Sequence, residues 1–273
     1  MNTIGFSINT FAVYIITSIV LLLMAATIAI LWRTKTHAPI KTMVIGAVTF
    51  LLFALVIEQP IKALVLATDN PFARAVSGNL WLSALVGGLF PGIFEEGGRF
   101  IAFKSVLRKE TDRQTAITYG VGHGGVEILF TAFAVLSYVA MGIMVNNGMT
   151  EQLLGNAEGA ARDAAIAQIQ SIAQADAANI FWSFFERCSA LTLHISLSVM
   201  VFKAARAENA GSFMLLPLAV VLHAIADGLI VLLNAFNAGI PVIECSFAVL
   251  AAISAAAAFM IYKNMEKTEK TDI

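Results

Sequence analysis

The sequence predicts an all-α membrane protein, a polytopic bundle of about seven transmembrane helices with the N-terminus outside and the C-terminus in the cytoplasm. Three observations predict it. The chain is 59% hydrophobic and 13% charged, against about 25% charged residues in a soluble domain. Apolar runs long enough to cross a bilayer, which takes roughly 20 residues, recur along its length. Basic residues crowd onto alternate connections between those runs.

Spans are expected at about 8–31, 43–66, 80–106, 115–146, 180–202, 212–234 and 240–262. The first lacks a basic flank and a small-residue cleavage site, so it reads as a retained helix and not a signal peptide. The fourth is long and has room to tilt. Lys and Arg concentrate in 32–42, 104–114, 203–211 and the tail, while the opposite connections hold only Arg74 and Arg162, with Lys62 near a span end. The positive-inside rule makes the first group cytoplasmic, and an odd number of spans agrees with that.

One integral membrane domain, 1–273, is expected, with its catalytic core at about 80–234. The long loop 147–178 lies outside the cytoplasm. Its Ala-rich stretch carries Ile166, Ile169 and Ile172 at helical spacing and predicts a short surface helix. The charged tail 263–273 is expected to be disordered. Net charge is −1, which gives no footprint for nucleic acid. Cys188 and Cys245 both fall in apolar runs and read as small buried hydrophobes.

The third span breaks its own apolar pattern with Glu95, Glu96 and Arg99. A charge at the centre of a spanning helix costs about 2.5–3.5 kcal/mol on insertion scales, so an intramembrane cluster marks a functional site. Helix rise places Glu95 and Glu96 roughly 17 Å from the cytoplasmic end of their span. His123 and Glu127 fall at roughly 12 and 18 Å, His194 at roughly 12 Å, and His223 and Asp227 at roughly 16 and 22 Å. Four helices thus bring their ionisable groups to one layer, and a single polar cavity follows. Arg99 is three and four residues from the two glutamates and can reach either. His123 with Glu127, and His223 with Asp227, are spaced i,i+4. Pro91 is expected to break the helix ahead of the glutamates or to start a half-helix there. Glu58 and Glu244 are single acids near span ends, with structural or snorkelling roles. Glu186 and Arg187 divide evenly between a structural ion pair and a functional one.

A carboxylate screened from bulk water beside a second one suits a general base. No Gly-x-Ser-x-Gly, Walker or His-Glu-x-x-His pattern is present. Glu95-Glu96-x-x-Arg99, Gly122-His123-Gly124-Gly125-x-Glu127, Glu186-Arg187 with His194, and His223-x-x-x-Asp227 together resemble the YhfC family. That family is grouped with the PrsW proteases and the CAAX prenyl endopeptidase/bacteriocin-processing (CPBP) membrane proteins, which are glutamate-dependent intramembrane proteases. The resemblance covers roughly residues 80–230.

It implies a glutamic-type, metal-independent intramembrane endopeptidase of the cell membrane, without a cofactor, acting on membrane-associated proteins or peptides. Glu95 or Glu96, with Glu95 preferred, would polarise the attacking water, and Arg99 would orient the pair. His123 or Glu127 would position the water, His223 and Asp227 would bind the oxyanion, and His194 completes the set. The chain departs from the prenyl endopeptidases, which carry Glu-Glu-x-x-x-Arg, then Phe-x-x-x-His, then His-x-x-x-Asn. Here the first motif is one residue shorter, the second ends in Glu127, and Asp227 stands in place of the Asn. Two other readings remain open. His123, His194 and His223 suit a zinc-dependent membrane hydrolase, and buried acids with histidines also suit a proton-coupled transporter.

Overall fold

The computed structural model describes residues 5–66 and 68–271, with side chains through residue 265. In chain order these form α1 (Ile8–Thr36), α2 (Ile40–Leu66), α3 (Pro71–Ser77), α4 (Leu80–Val106), α5 (Gln114–Asn146), α6 (Thr150–Leu154), α7 (Gly159–Ala173), α8 (Ala177–Ala205), α9 (Ala210–Ala235) and α10 (Ile240–Thr271). No strand occurs among the described residues.

Six of these helices, α1, α2, α5, α8, α9 and α10, are long and apolar enough to cross a membrane. The seventh, α4, carries the intramembrane charges and meets the same measure only together with α3, from which it turns by 111°. The outward faces are apolar, with Leu23, Leu64, Trp81 and Phe259 each more than half exposed, as lipid-facing side chains are. The protein is therefore a multi-pass integral membrane protein.

Asparagines start three of the helical segments. The Asn70, Asn79 and Asn209 side chains accept from the backbone N–H groups of Ala73, Leu82 and Ser212 at 2.8, 3.0 and 2.9 Å. Each satisfies a donor that the first helical turn leaves unpaired. Pro71 follows its cap at N1, where the missing N–H costs nothing.

Two stretches depart from α geometry: Leu51–Glu58 within α2 and Ala102–Val106 at the end of α4 are π-helical. Such turns are rare and gather at functional sites. The first lies against α4, where the Phe53 ring covers Gly98.

Pro91 does not break its helix, contrary to the sequence expectation; α4 is helical through it. Proline removes the N–H that would close the turn onto Gly87, but packing against α9 holds the segment together. A Cβ on Gly88 would stand 2.0 Å from Ala224 O, and one on Gly92 2.8 Å from Val220 O. Small residues let the two backbones touch, which is how helices associate in lipid.

Gly122 plays the same part between α5 and α2, since a Cβ there would lie 2.0 Å from Met43 O. Gly122→Ala is expected to destabilise by about 1–3 kcal/mol, the cost of overpacking, read as a lower melting temperature in detergent. Gly97→Ala is the control, because a Cβ there meets nothing within 4 Å. Equal melting of the two variants would show that the α2–α5 contact does not matter.

Two compact units make up the chain, one comprising 1–25 and 128–187, the other 26–127 and 188–273; their limits fall within α1, α5 and α8. In the first unit, α7 sets Ile169 into a cluster with Phe6, Tyr14, Val145 and Leu154, with Ile166 and Ile172 packed against it. Tyr14 Oη donates to Ile172 O at 2.6 Å and Thr10 Oγ1 to Ala173 O at 3.1 Å, which ties down the end of α7. The helix expected in the Ala-rich loop is thus present, with its isoleucine face packed inward.

The core of the second unit gathers Phe103, Tyr119, Leu193, Leu197, Met200, Phe202 and Phe247. Its segment 263–273, expected to be disordered, instead continues α10 to Thr271, and residues 272–273 lie outside the described residues. No Gly or Pro interrupts that stretch, and its Lys and Glu residues are good helix formers.

Candidate active site

All eight residues singled out in the sequence lie in the second unit and form one connected group. From α4, Glu95 places Oε2 3.0 Å from His123 Nε2 on α5 and 4.0 Å from His194 Nδ1 on α8. His194 Nε2 stands 2.6 Å from Glu127 Oε2. Arg99 Nη1 donates to the His194 carbonyl at 3.0 Å, and Nη2 reaches His194 Nδ1 at 3.3 Å. The same guanidinium pairs with Glu96 Oε2 at 3.4 Å. Glu96 Oε1 in turn meets His223 Nδ1 on α9 at 2.9 Å, and His223 Nε2 stands 3.6 Å from Asp227 Oδ2.

The i,i+4 spacings resolve differently. His223 and Asp227 do face each other, whereas His123 and Glu127 are drawn to separate partners, Glu95 and His194. Arg99, which can reach either glutamate by spacing, pairs with Glu96. The two adjacent glutamates thereby take unlike positions. Glu96, fully buried, is committed to Arg99 and His223. Glu95 is turned to the two histidines.

Burial is graded across the group. Glu96, Arg99 and His123 are wholly buried, and the Glu95, His194 and His223 side chains are nearly so, whereas the Glu127 and Asp227 side chains are 19% and 33% exposed. Glu127 and Asp227 are thus the members of the group least enclosed by the protein. Two aromatic rings flank His123: Phe50, edge-on at 5.2 Å, and Tyr119, stacked at 6.0 Å.

The ring hydrogen bonds constrain proton placement. Glu127 accepts the His194 Nε2 proton, which leaves Nδ1 to receive the Arg99 N–H. Glu95 accepts the His123 Nε2 proton, which leaves His123 Nδ1 unprotonated when the ring is neutral.

Among the described residues, the group close enough to hold a metal is Glu95, His123 and His194, whose ligand atoms all lie within 4.8 Å of one another. This is not the three-histidine set expected for a zinc hydrolase. His223 is held apart on Glu96 and Asp227, and Glu95 takes its place. Two imidazoles and a carboxylate are a donor set that catalytic zinc sites use, and His123 Nε2 and His194 Nδ1 are the ring nitrogens turned toward Glu95 Oε2. The residues therefore fit a zinc ion. Arg99 is the counterweight, since its guanidinium already engages the His194 nitrogen that would turn to the metal.

The structure also places three other sets of residues noted in the sequence. Glu186 and Arg187 pair with each other, and Arg187 Nη1 donates to Thr131 Oγ1 at 3.2 Å; all three belong to the first unit. Glu58 is no snorkelling residue: it is 2% exposed, at the end of the π-helical turn, with Lys62 Nζ at 3.6 Å. Its i,i+4 lysine in an apolar run was the sequence signal for that pair. Cys188 is half-buried and Cys245 exposed on the outward face of α10, both as free thiols.

The chain matches the sequence model of the family described as YhfC intramembrane metalloprotease over residues 19–255. It is 31% identical over 179 residues, 65% of this chain and 68% of the relative, to a protein of Bacillus subtilis (strain 168) named "Uncharacterized membrane protein YhfC". No solved structure matches it.

Proposed function

The chain belongs to the YhfC family of intramembrane proteases, and from that premise we propose that it hydrolyses peptide bonds of membrane-associated proteins or peptides with a water activated at Glu95. The observation that carries the proposal is the placement of Glu95 Oε2, 3.0 Å from His123 Nε2 and 4.0 Å from His194 Nδ1, inside a buried group. Glu95 is the base: it takes one proton from a water whose oxygen attacks the scissile carbonyl carbon. His123 holds the carboxylate in place through Nε2–H. His223, as an imidazolium, donates Nδ1–H to Glu96 and directs Nε2–H toward the partly open side, where it donates to the oxyanion of the tetrahedral intermediate. The proton collected by Glu95 then passes to the leaving amine, and the C–N bond breaks. Arg99 binds His194 and Glu96 at once, and so fixes two helices around the reacting centre.

A second reading is favoured by the closeness of Glu95, His123 and His194 and by the family's description as a metalloprotease. These three residues would hold a divalent ion such as zinc. When bound, the ion would supply Lewis acidity to the scissile carbonyl and to the attacking water. In that case Arg99 must release His194 Nδ1, and Glu127 holds the opposite ring nitrogen, as outer partners of ligand histidines do.

The test is to reconstitute the full-length protein in liposomes with bacterial membrane proteins and to map new N-termini by mass spectrometry. New termini that persist under a strong zinc chelator are expected on the first reading. Termini lost with chelator and restored by zinc establish the second. If no termini form beyond those in empty liposomes, the hydrolase proposal fails.

A further inference from the structure

The four helices that carry the centre share one end. α4 runs into the connection 107–113 and α5 out of it; α8 runs into the connection 206–209 and α9 out of it. The two connections are tied together. Arg206 Nη2 donates to Leu107 O at 3.0 Å and to Glu110 O, and Lys104 Nζ donates to Ala205 O at 3.1 Å. Arg113 Nη1 donates to Tyr262 O of α10 at 3.1 Å. Lys and Arg gather at this end, which the positive-inside rule makes cytoplasmic.

Between this end and the centre the protein is filled. One turn from the centre toward it stand Phe103 after Arg99, Tyr119 before His123, Ser198 after His194 and Ala219 before His223, all buried. The rings among them form a column. Tyr119 is stacked 6.0 Å from His123, Phe103 lies 4.5 Å from Tyr119, and Phe202 lies 5.2 Å from Phe103. The Arg206 guanidinium closes the column, 3.7 Å over the Phe202 ring. An interior packed in this way leaves few voids larger than a water molecule, so a peptide has no way in from the basic end.

Toward the opposite end the trend reverses. Glu127 lies one turn beyond His123 and Asp227 one turn beyond His223, and these are the centre's most exposed side chains. Asp227 sits roughly 12 Å inside that end of α9. A carboxylate at such depth faces a partner or water, not hydrocarbon. On α2, where Phe53 covers Gly98, the charges of Glu95 and His223 act on Glu58. One turn further on, Lys62 pairs with Glu58 and is a third exposed. Charged groups thus lead from the centre toward this end, and apolar rings toward the other.

We propose that the centre is entered from the extracytoplasmic side, so that it takes peptide bonds presented on that side of the membrane, in exported proteins or in the outer segments of membrane proteins. The proposal rests on the hydrolytic reading of the group and adds the side from which the bond arrives. Asp227 is the first residue of the centre that arriving water meets.

The experiment is side-specific thiol labelling of the full-length protein in right-side-out and inside-out membrane vesicles, with a charged methanethiosulfonate that does not cross membranes. Cys188 and Cys245, the free thiols, are first replaced by alanine. Single cysteines are then introduced as Asp227→Cys, Lys62→Cys and Arg108→Cys, the last on the basic connection. Asp227→Cys and Lys62→Cys are expected to react in right-side-out vesicles alone, and Arg108→Cys in inside-out vesicles alone. Asp227→Cys reacting in inside-out vesicles, or in neither, overturns the proposal, as does Arg108→Cys reacting in right-side-out vesicles. Should Asp227→Cys fail to fold, Lys62→Cys is judged by the same outcomes. The labelling needs no substrate, so its failure is distinct from failure of the hydrolase reading, which the absence of new termini judges. Where new termini form, they are expected in extracytoplasmic segments; termini confined to cytoplasmic segments overturn the substrate assignment.

Discussion

Glu95→Gln is expected to slow peptide-bond hydrolysis by about 10²–10⁴-fold, the contribution of a general base, while the protein folds and melts as the parent does. The carboxamide keeps the shape of the side chain and one oxygen to accept from His123 Nε2, now 3.0 Å from Glu95 Oε2. It also removes one of two adjacent negative charges from the interior of a membrane, so no loss of stability is anticipated. What it cannot do is take a proton from water. The measurement is the yield of new N-termini by the parent and the variant at matched, folded protein. Cleavage at the parental rate would remove Glu95 from the mechanism. The same variant separates the two chemistries. If the parent carries stoichiometric zinc and the variant loses it, Glu95 is a ligand; if neither carries metal, Glu95 acts on water itself.

Arg99→Met is expected to cost about 3–5 kcal/mol of stability, the loss on breaking a buried ion pair from one side. Arg99 is the largest wholly buried side chain among the described residues. Its planar fork meets a backbone carbonyl, an imidazole nitrogen and a carboxylate, and a point charge on a flexible stem does not reproduce that geometry. Without it, Glu96 keeps only His223 as a partner. Arg99→Lys is expected to recover part of the stability, and the double variant Glu96→Gln/Arg99→Met more, because it leaves no uncompensated anion. Thermal melting in detergent checks the order. If the double variant is no more stable than Arg99→Met, the ion pair is not the source of the loss.

The parts of this architecture that were legible in the sequence are those that lipid imposes one helix at a time. A span is a run of apolar residues, and the ends of the seven expected spans fall within five residues of those observed, except where α10 runs on into the tail. Glu95, Glu96 and Arg99 stood out because charge inside such a run is costly, and their neighbours were found by the same criterion at the same depth. What composition does not carry is the rotational phase of one helix against another. It could not say that Glu127 turns to His194 and away from His123, or that Glu95 and not His223 joins His123 and His194. It gave no sign that Glu58 is buried. Pro91 was misjudged for a related reason: the helix persists because Gly88 and Gly92 press against α9, a contact made by residues more than a hundred positions later.

The π-helical turn at Leu51–Glu58 bears on how chain length varies among relatives. A π turn holds about one residue more than the α turn it replaces, so a single residue deleted there is absorbed by a return to α geometry without shortening the span. The residues on either side of the deletion then keep the direction they face. Phe50 would stay on His123 and Glu58 in its buried position. A one-residue gap within this stretch of a transmembrane helix is therefore a difference in length between homologues that leaves the arrangement around it intact.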